Sequence, residues 1–321
     1  MRSEKILSGV HEVIGQTPVV SLTRLTRAYG VTGNIYAKLE NLNPGNSKKD
    51  RIALQIIEAA EKNGNLRREQ PVVELTSGNT GAGLAIVCAV KGYHFIAVMS
   101  KGNSPERARM MRALGTEVVL VDQAEGSVTG QVSGEDLALV EEETNRIVKR
   151  LDGFRVDQFN SIENVRAHEK TGEEMWNQCA GQIDAYLDFA GTAGTFTGCA
   201  KALKKHKPAI RCYVVEPASA QFLAGKPVTN SSHKIQGGGY VSELKLLDRS
   251  LVAGYLAVND DEAIKTAREL ARYEGIFAGF SSGANIAAAL QLLSGVEKNN
   301  SIVLTINDTG LKYLSTDLYV E

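Results

Sequence analysis

Asn43-Pro44-Gly45-Asn46-Ser47-Lys48-Lys49-Asp50-Arg51 stands between a strand-like run, Ile35–Glu40, and a segment with helical apolar spacing, Ile52–Lys62. Pro44 and Gly45 force a turn, and Ser47 can cap the helix by accepting from its exposed backbone N–H groups. Strand, polar turn and helix in this order make one strand-to-helix unit. Two lysines at a helix start oppose the macrodipole, which favours anions there. They are either solvated surface charge or one half of a site whose other half is negative. The stretch alone leaves both open.

Outward from it the same alternation repeats. Val13–Leu22 reads as a turn feeding a short strand. Pro71–Leu75 reads as a strand that runs into Thr76-Ser77-Gly78-Asn79-Thr80-Gly81 and a helix to about Lys91, followed by strand Phe95–Met99. Ser104 at the N-cap and Pro105 at the first helical position open a helix that ends at Gly115. Thr116–Val121 is the next strand. Ala124–Asp136 is small, polar and Gly-rich and reads as a mobile surface loop, with a charged helix over about Leu137–Arg150 behind it. Strand Ala185–Phe189, a helix to Lys205 and strand Cys212–Val215 resume the pattern. Gln236–Tyr240 reads as a flexible segment, Val252–Leu293 as a further strand and helix, and Ser301–Ile306 as a final buried strand. This pace predicts the α/β class: two open twisted sheets, mostly parallel and flanked by helices, with Gly-rich loops at the strand C-terminal ends, where such sheets bind ligands.

The 321 residues, 43% hydrophobic and 23% charged, suffice for a sizeable core in one large or two ordinary domains. A net charge of −1 gives no electrostatic case for nucleic acid or an anionic membrane. Met1–Val10 lacks a cationic-then-apolar leader and no apolar run is long enough to span a bilayer, so a cytoplasmic protein is expected. Cys88, Cys179, Cys199 and Cys212 form no CxxC pair and have no His at metal spacing, which predicts buried, reduced thiols and no metal.

Three loops carry the chemistry. Gly191-Thr192-Ala193-Gly194-Thr195-Phe196-Thr197-Gly198 joins an apolar strand to a helix, and its glycines, hydroxyls and helix-start N–H groups suit a phosphate without a Lys or Arg. An ordinary tight turn is the plain alternative. A dinucleotide fold is the rival, with Glu216 near the place of a ribose-binding acid, but the spacing is GxxGxxxG rather than GxGxxG. Thr76–Gly81 is a second helix-start loop, suited to a carboxylate or another small anion. No GK[ST] ends either loop, which excludes a P-loop, and Ser77 lacks the flanking glycines of a nucleophile elbow. In the third, Gly275–Gly283, Ser281 and Ser282 precede an apolar helix, and one of them is expected to cap it.

Together these segments resemble the cysteine synthase (O-acetylserine sulfhydrylase) and cystathionine β-synthase family, the fold-type II pyridoxal-phosphate enzymes. The pieces are GQTP at Gly15–Pro18, NPGNSKKDR at Asn43–Arg51, TSGNTG at Thr76–Gly81, QF at Gln158-Phe159 and HEKTG at His168–Gly172. GTAGT at Gly191–Thr195, HKIQG at His233–Gly237, EGIFAGFSSGA at Glu274–Ala284 and NDTGLKYLST at Asn307–Thr316 complete them in family order.

The resemblance implies a tryptophan synthase β-subunit-like fold with the active site between two lobes. Residues 42–158 would form a smaller mobile lobe with the substrate-carboxylate loop, and 12–41 plus 159–321 a larger lobe with the phosphate loop. Pyridoxal 5′-phosphate would be bound by Lys49 as a Schiff base, by Asn79 at its 3′ oxygen, by Gly191, Thr192, Ala193, Gly194 and Thr195 at its phosphate and by Ser281 at its ring nitrogen. Lys48, a neighbouring cation, would lower the pKa of Lys49. Thr76, Ser77, Gly78, Thr80, Gln158 and Gly237 would bind the substrate. The implied reaction is ping-pong β-replacement on an O-activated L-serine through an α-aminoacrylate, with Lys49 as base: O-acetyl-L-serine plus sulfide giving L-cysteine. O-phosphoserine as donor, or an amine or another thiol as nucleophile, are the variants. A homodimer is implied, and a serine acetyltransferase C-terminus as partner.

Four departures from the family wording bear on the substrate. Asn46 and Ala193 replace glycines, Lys48 replaces an apolar residue, and Gly238-Gly239-Tyr240 lacks the GAGF wording.

Overall fold

Val72-Val73 and Ile302–Leu304 are buried on both faces of their strands, as parallel strands covered by helices on two sides must be. The computed structural model describes residues 5–127, 132 and 134–320 and divides into two compact units. The first comprises the described residues of Met1–Ile14 and Asn43–Glu163, the second those of Gly15–Leu42 and Asn164–Glu321.

In chain order the elements are β1 (Val19–Ser21), α1 (Thr23–Ala28), β2 (Asn34–Leu39), α2 (Lys49–Lys62), β3 (Val72–Leu75), α3 (Asn79–Lys91), β4 (Phe95–Ser100), α4 (Pro105–Ala113) and β5 (Glu117–Val121). They continue with α5 (Gly134–Leu151), β6 (Phe154–Arg155), α6 (Ile162–Gln178), β7 (Ala185–Phe189), α7 (Gly194–His206), β8 (Arg211–Pro217), β9 (Val252–Val258), α8 (Asp260–Glu274), α9 (Phe280–Leu293) and β10 (Ser301–Ile306).

The first unit has one four-stranded sheet, in the order β5-β4-β3-β6, with every pair parallel. The second has a six-stranded sheet, β1-β2-β10-β7-β8-β9, in which only β1 runs antiparallel to its neighbour. The α/β class and the two mainly parallel sheets agree with the sequence. Strand period fixes the layers. Ile302, Leu304 and Ile306 join α8 and α9 in one core, while Val303 and Tyr186 face the opposite core with Phe196 and Leu203 of α7.

Several elements differ from expectation. α2 starts at Lys49 rather than Ile52, because the Ser47 hydroxyl accepts from Lys49 N at 3.2 Å and the Asp50 carboxylate turns back to take the Gly45 N–H. α5 starts at Gly134, inside the expected Ala124–Asp136 loop, and Asp136 reaches back to accept from Ala124 N at 2.7 Å. Residues 128–131 and 133 of that loop lie outside the described residues. Ser104 stands at the N-cap of α4, but its hydroxyl donates to Glu106 instead of capping. β6, only two residues long, gives no periodic signal, and α6 and α1 were likewise not expected as elements. All four cysteines are free and buried, and burial pushes the Cys88 and Cys212 thiols up to about 12. No helix among the described residues is long and apolar enough to cross a membrane.

Candidate active site

In the first unit, Lys49 occupies the opening turn of α2 and is half-buried, while Lys48 before it is 8% exposed. Burial removes the reading of two solvated lysines. The turn that carries them is tight: Asn46 has φ +61°, a left-handed conformation that Asn tolerates better than most residues. That is why an asparagine can stand where the family wording has glycine. α2 packs along α3, where a Cβ on Gly83 would lie 3.0 Å from Asp50 Cα.

The Thr76–Thr80 loop connects β3 to α3, whose N-cap, Gly78, has no side chain to offer. Thr76 accepts from Gly81 N at 2.9 Å, and Thr80 donates to Gln158 Oε1 at 2.6 Å. Thr76, Thr80 and Gln158 are all buried, and Ser77, Gly78 and Asn79 are half-buried. Thus the loop and Gln158, 78 residues further on, converge in the fold of one unit.

Below this pair lies a residue that sequence reasoning missed. Glu74, 1% exposed on β3, accepts from Asp157 N at 2.9 Å, from Gln158 N at 3.4 Å and from Arg155 Nε at 3.2 Å. Arg155 also binds Glu141 of α5 at 2.9 Å. Burial pushes the Glu74 carboxyl up to about 7, against the pull of Arg155 and the two backbone N–H groups; Asp157 adds to the rise. A charged residue inside the apolar run Pro71–Leu75 was the available signal. A folded-state value above the ordinary 4.5 means that Glu74 favours the fold most below pH 4.5 and loses that contribution as pH rises through 7. At about 1.4 kcal/mol per pH unit, urea unfolding of Glu74→Gln and the native chain should show their stability difference moving toward the variant by about 3 kcal/mol between pH 4.5 and 8. A constant difference would show that Glu74 titrates at its ordinary value.

In the second unit, Gly191–Thr195 joins β7 to α7, and no side chain of the N-cap residue Ala193 closes the helix start. Ala193 has φ +64°, the left-handed region, with its methyl 3% exposed in the core. The buried methyl offsets part of the roughly 1–2 kcal/mol that this backbone costs a residue with a Cβ. Thr192 accepts from Asn164 Nδ2 at 2.8 Å, and a Cβ on Gly194 would lie 2.1 Å from Asn164 Oδ1. Asn164 of α6 is a second residue missed in the sequence. Gly237, exposed at φ +93°, passes its carbonyl 2.5 Å from where a Gly191 Cβ would stand. The expected flexible segment is pinned: Gly239 N donates to Ala190 O at 3.0 Å, and a Cβ on Gly238 would lie 2.3 Å from that oxygen.

Ser281 and Ser282 sit in the first turn of α9, whose N-cap is Gly279, and neither caps it. Asn307, at the end of β10, uses both: its Nδ2 donates to Ser281 Oγ at 3.1 Å and its N–H to Ser282 Oγ at 2.9 Å. With its oxygen accepting from Asn307, the Ser281 hydroxyl keeps its own proton for a further acceptor. Glu216, the rival's ribose acid, is spent on the Leu223 and Ala224 N–H groups at 2.7 and 2.9 Å. Among the described residues no three His, Cys, Asp or Glu side chains gather as a metal site.

These features fit pyridoxal phosphate. A helix start whose N-cap residue offers no side-chain acceptor, two buried threonine hydroxyls and a glycine with no room for a methyl suit a phosphate at the start of α7. Two α/β units, one with a helix-start lysine and each with a Gly- and Thr-rich loop at a helix start, match the architecture expected of a pyridoxal-phosphate enzyme. The family model described as pyridoxal-phosphate dependent enzyme matches residues 10–308. A cysteine synthase of Staphylococcus aureus (strain Mu50) is 37% identical over 319 residues, 99% of this chain and 98% of that protein. The O-acetyl serine sulfhydrylase isoform 3 structure from Entamoeba histolytica superposes with a TM-score of 0.92 at 35% identity, covering 100% of this chain and 94% of that one. O-ureido-L-serine synthase gives a TM-score of 0.88 at 35% identity over 98% and 96%. The chain belongs to the pyridoxal-phosphate dependent enzymes and, within them, to the cysteine synthase group.

Proposed function

We propose that this enzyme catalyses β-replacement on O-acetyl-L-serine, with sulfide as nucleophile and L-cysteine as product. The observation that carries the reading is the pair of helix starts, α3 and α7, whose N-cap residues Gly78 and Ala193 supply no side-chain cap and which are bordered by buried threonine hydroxyls. One suits the donor's α-carboxylate and the other the cofactor's phosphate. When bound, pyridoxal phosphate supplies the electron sink for loss of the donor's α-proton.

The residues of the chain do the rest. Lys49 holds the cofactor, takes the α-proton as base and returns it after acetate has left the β-carbon and sulfide has added there. Thr76, Ser77, Gly78, Thr80 and Gln158 bind the donor, with Gly237 lining its side chain. Gly191, Thr192, Ala193, Gly194 and Thr195 hold the phosphate, Asn79 the 3′ oxygen and Ser281 the ring nitrogen. A neutral hydroxyl at the ring nitrogen leaves the ring less electron-withdrawing than a carboxylate partner would, which favours expulsion of a β-leaving group. The donor site belongs to the first unit and the phosphate loop to the second, with residues 12–14 and 159–163 falling in the first unit and Leu42 in the second, unlike the expected bounds. The enzyme is taken as a cytoplasmic homodimer, with a serine acetyltransferase C-terminus as its protein ligand; sedimentation and co-purification test these.

A second reading keeps these roles and changes the partners, to O-phosphoserine as donor or to an amine or another thiol as nucleophile. The likeness to O-ureido-L-serine synthase favours the change of nucleophile. Crossing a panel of O-activated serines with sulfide, thiols and amines, with products identified by mass, separates the two. Cysteine from O-acetylserine and sulfide is expected as the fastest product. A cofactor spectrum that no β-substituted serine alters would exclude β-replacement altogether.

A further inference from the structure

The ladder between β3 and β6 ends early. Val72 pairs with Phe154 and Val73 with Arg155, and Val156 N still reaches Val73 O at 3.3 Å. Beyond that point the Glu74 carboxylate, rather than the β3 backbone, accepts the next two N–H groups, those of Asp157 and Gln158. Asp157 has φ +49°, an unusual backbone for a residue with a Cβ. Such a conformation persists only where its surroundings hold it. Here several bonds hold it, among them those from Asn160 N and Ser161 N to the Asp157 carbonyl at 3.1 and 2.9 Å. Glu74 takes the Asp157 N–H from one side, and the Asp157 carboxylate accepts from Asn160 Nδ2 at 2.7 and 2.9 Å on the other. One residue beyond the strained position, Gln158 turns its amide oxygen to Thr80.

We propose that Glu74 is a positioning residue for the donor site: its carboxylate fixes the Asp157–Gln158 turn so that Gln158 and Thr80 are presented together to the carboxylate of the amino-acid donor. This rests on the functional reading above. Glu74 does not touch the donor; it acts through Gln158. Arg155 holds the carboxylate in place and is itself held by Glu141, so the anchor reaches from α5 to the loop. The buried charge has no other use in the reaction as described. Its raised pKa agrees with a carboxylate kept in an unfavourable place by what it holds.

The test is a cycle of Glu74→Gln and Gln158→Ala in the cofactor-loaded enzyme, read by the donor concentration that gives half of the change in the cofactor's absorption. Glu74→Gln alone should raise that concentration about tenfold, while half-saturation by the nucleophile stays within twofold of the native enzyme. In the Gln158→Ala background the same change should have almost no further effect, because the residue it acts through is gone. Hydrogen exchange at the amides of Asp157 and Gln158 should quicken in Glu74→Gln without donor or cofactor chemistry. If Glu74→Gln does not fold, Arg155→Gln, which leaves the carboxylate but removes its guanidinium, carries the same cycle. Unchanged donor half-saturation, or equal effects with and without Gln158, overturns the inference. If the native enzyme responds to no O-activated serine, the functional reading fails instead, and exchange at 157–158 still tells whether Glu74 holds the turn.

Discussion

Lys49→Ala should lose turnover by on the order of 10³-fold or more, since a positioned general base alone contributes 10²–10⁴-fold. The purified native protein should absorb near the visible–ultraviolet boundary, and the variant should lose that band. The stability of the cofactor-free fold should hardly change. Lys49 lies in the first turn of α2, where alanine is a good helix former, and the Ser47 hydroxyl bonds to its backbone N–H rather than its side chain. Asp50 continues to close the turn onto Gly45. Thermal unfolding and the absorption spectrum, measured on the same preparation, separate loss of the amine from loss of the fold. A small primary amine added to the variant should restore part of the rate. Near-native turnover in Lys49→Ala would show that another residue carries the proton.

Gly194→Ala should weaken pyridoxal phosphate binding about a hundredfold, which removes about 2.7 kcal/mol of the stabilisation that the bound cofactor gives. The new methyl would lie 2.1 Å from Asn164 Oδ1 and 2.3 Å from its Cγ. Asn164 is 1% exposed and holds Thr192, so either the start of α7 shifts or Asn164 swings out and releases the loop. Overpacking of this kind costs typically 1–3 kcal/mol even without ligand. Equilibrium dialysis gives the affinity, and melting with and without cofactor gives the linked loss. Adding Asn164→Gly opens the space and should return part of the apoprotein's stability. Undiminished affinity in Gly194→Ala would remove the phosphate from this loop.

Local chemistry accounts for what could be read from the chain. The spacing of apolar residues and the turn residues of Asn43–Arg51, Thr76–Gly81 and Gly191–Gly198 predict strand-to-helix junctions, and all three are strand-to-helix junctions. Strands Ala185–Phe189 and Ser301–Ile306 have the expected bounds because each is a mainly apolar run, interrupted only by Asp188 in the first and Thr305 in the second, that ends at a turn. The errors have local causes as well. Ser47 and Asp50 extend α2 toward Lys49 through side-chain bonds that periodicity does not register. The two serines of α9 offered a capping pattern but are claimed by Asn307, which follows β10.

The sequence by itself determined the class of fold, most of its strands and helices and which loops stand at helix starts, because each depends on residues a few positions apart. Tertiary structure alone decided what holds those loops. Glu74 reaches Asp157 and Gln158 across 83 and 84 residues, Asn164 reaches Thr192 across 28, and Asn307 reaches Ser281 across 26. These bonds exist because the sheet order sets β6 beside β3 and because helices and strands distant in the chain pack within one unit. A buried carboxylate or amide takes whichever donor the packing brings to it, and no spacing along the chain specifies that choice.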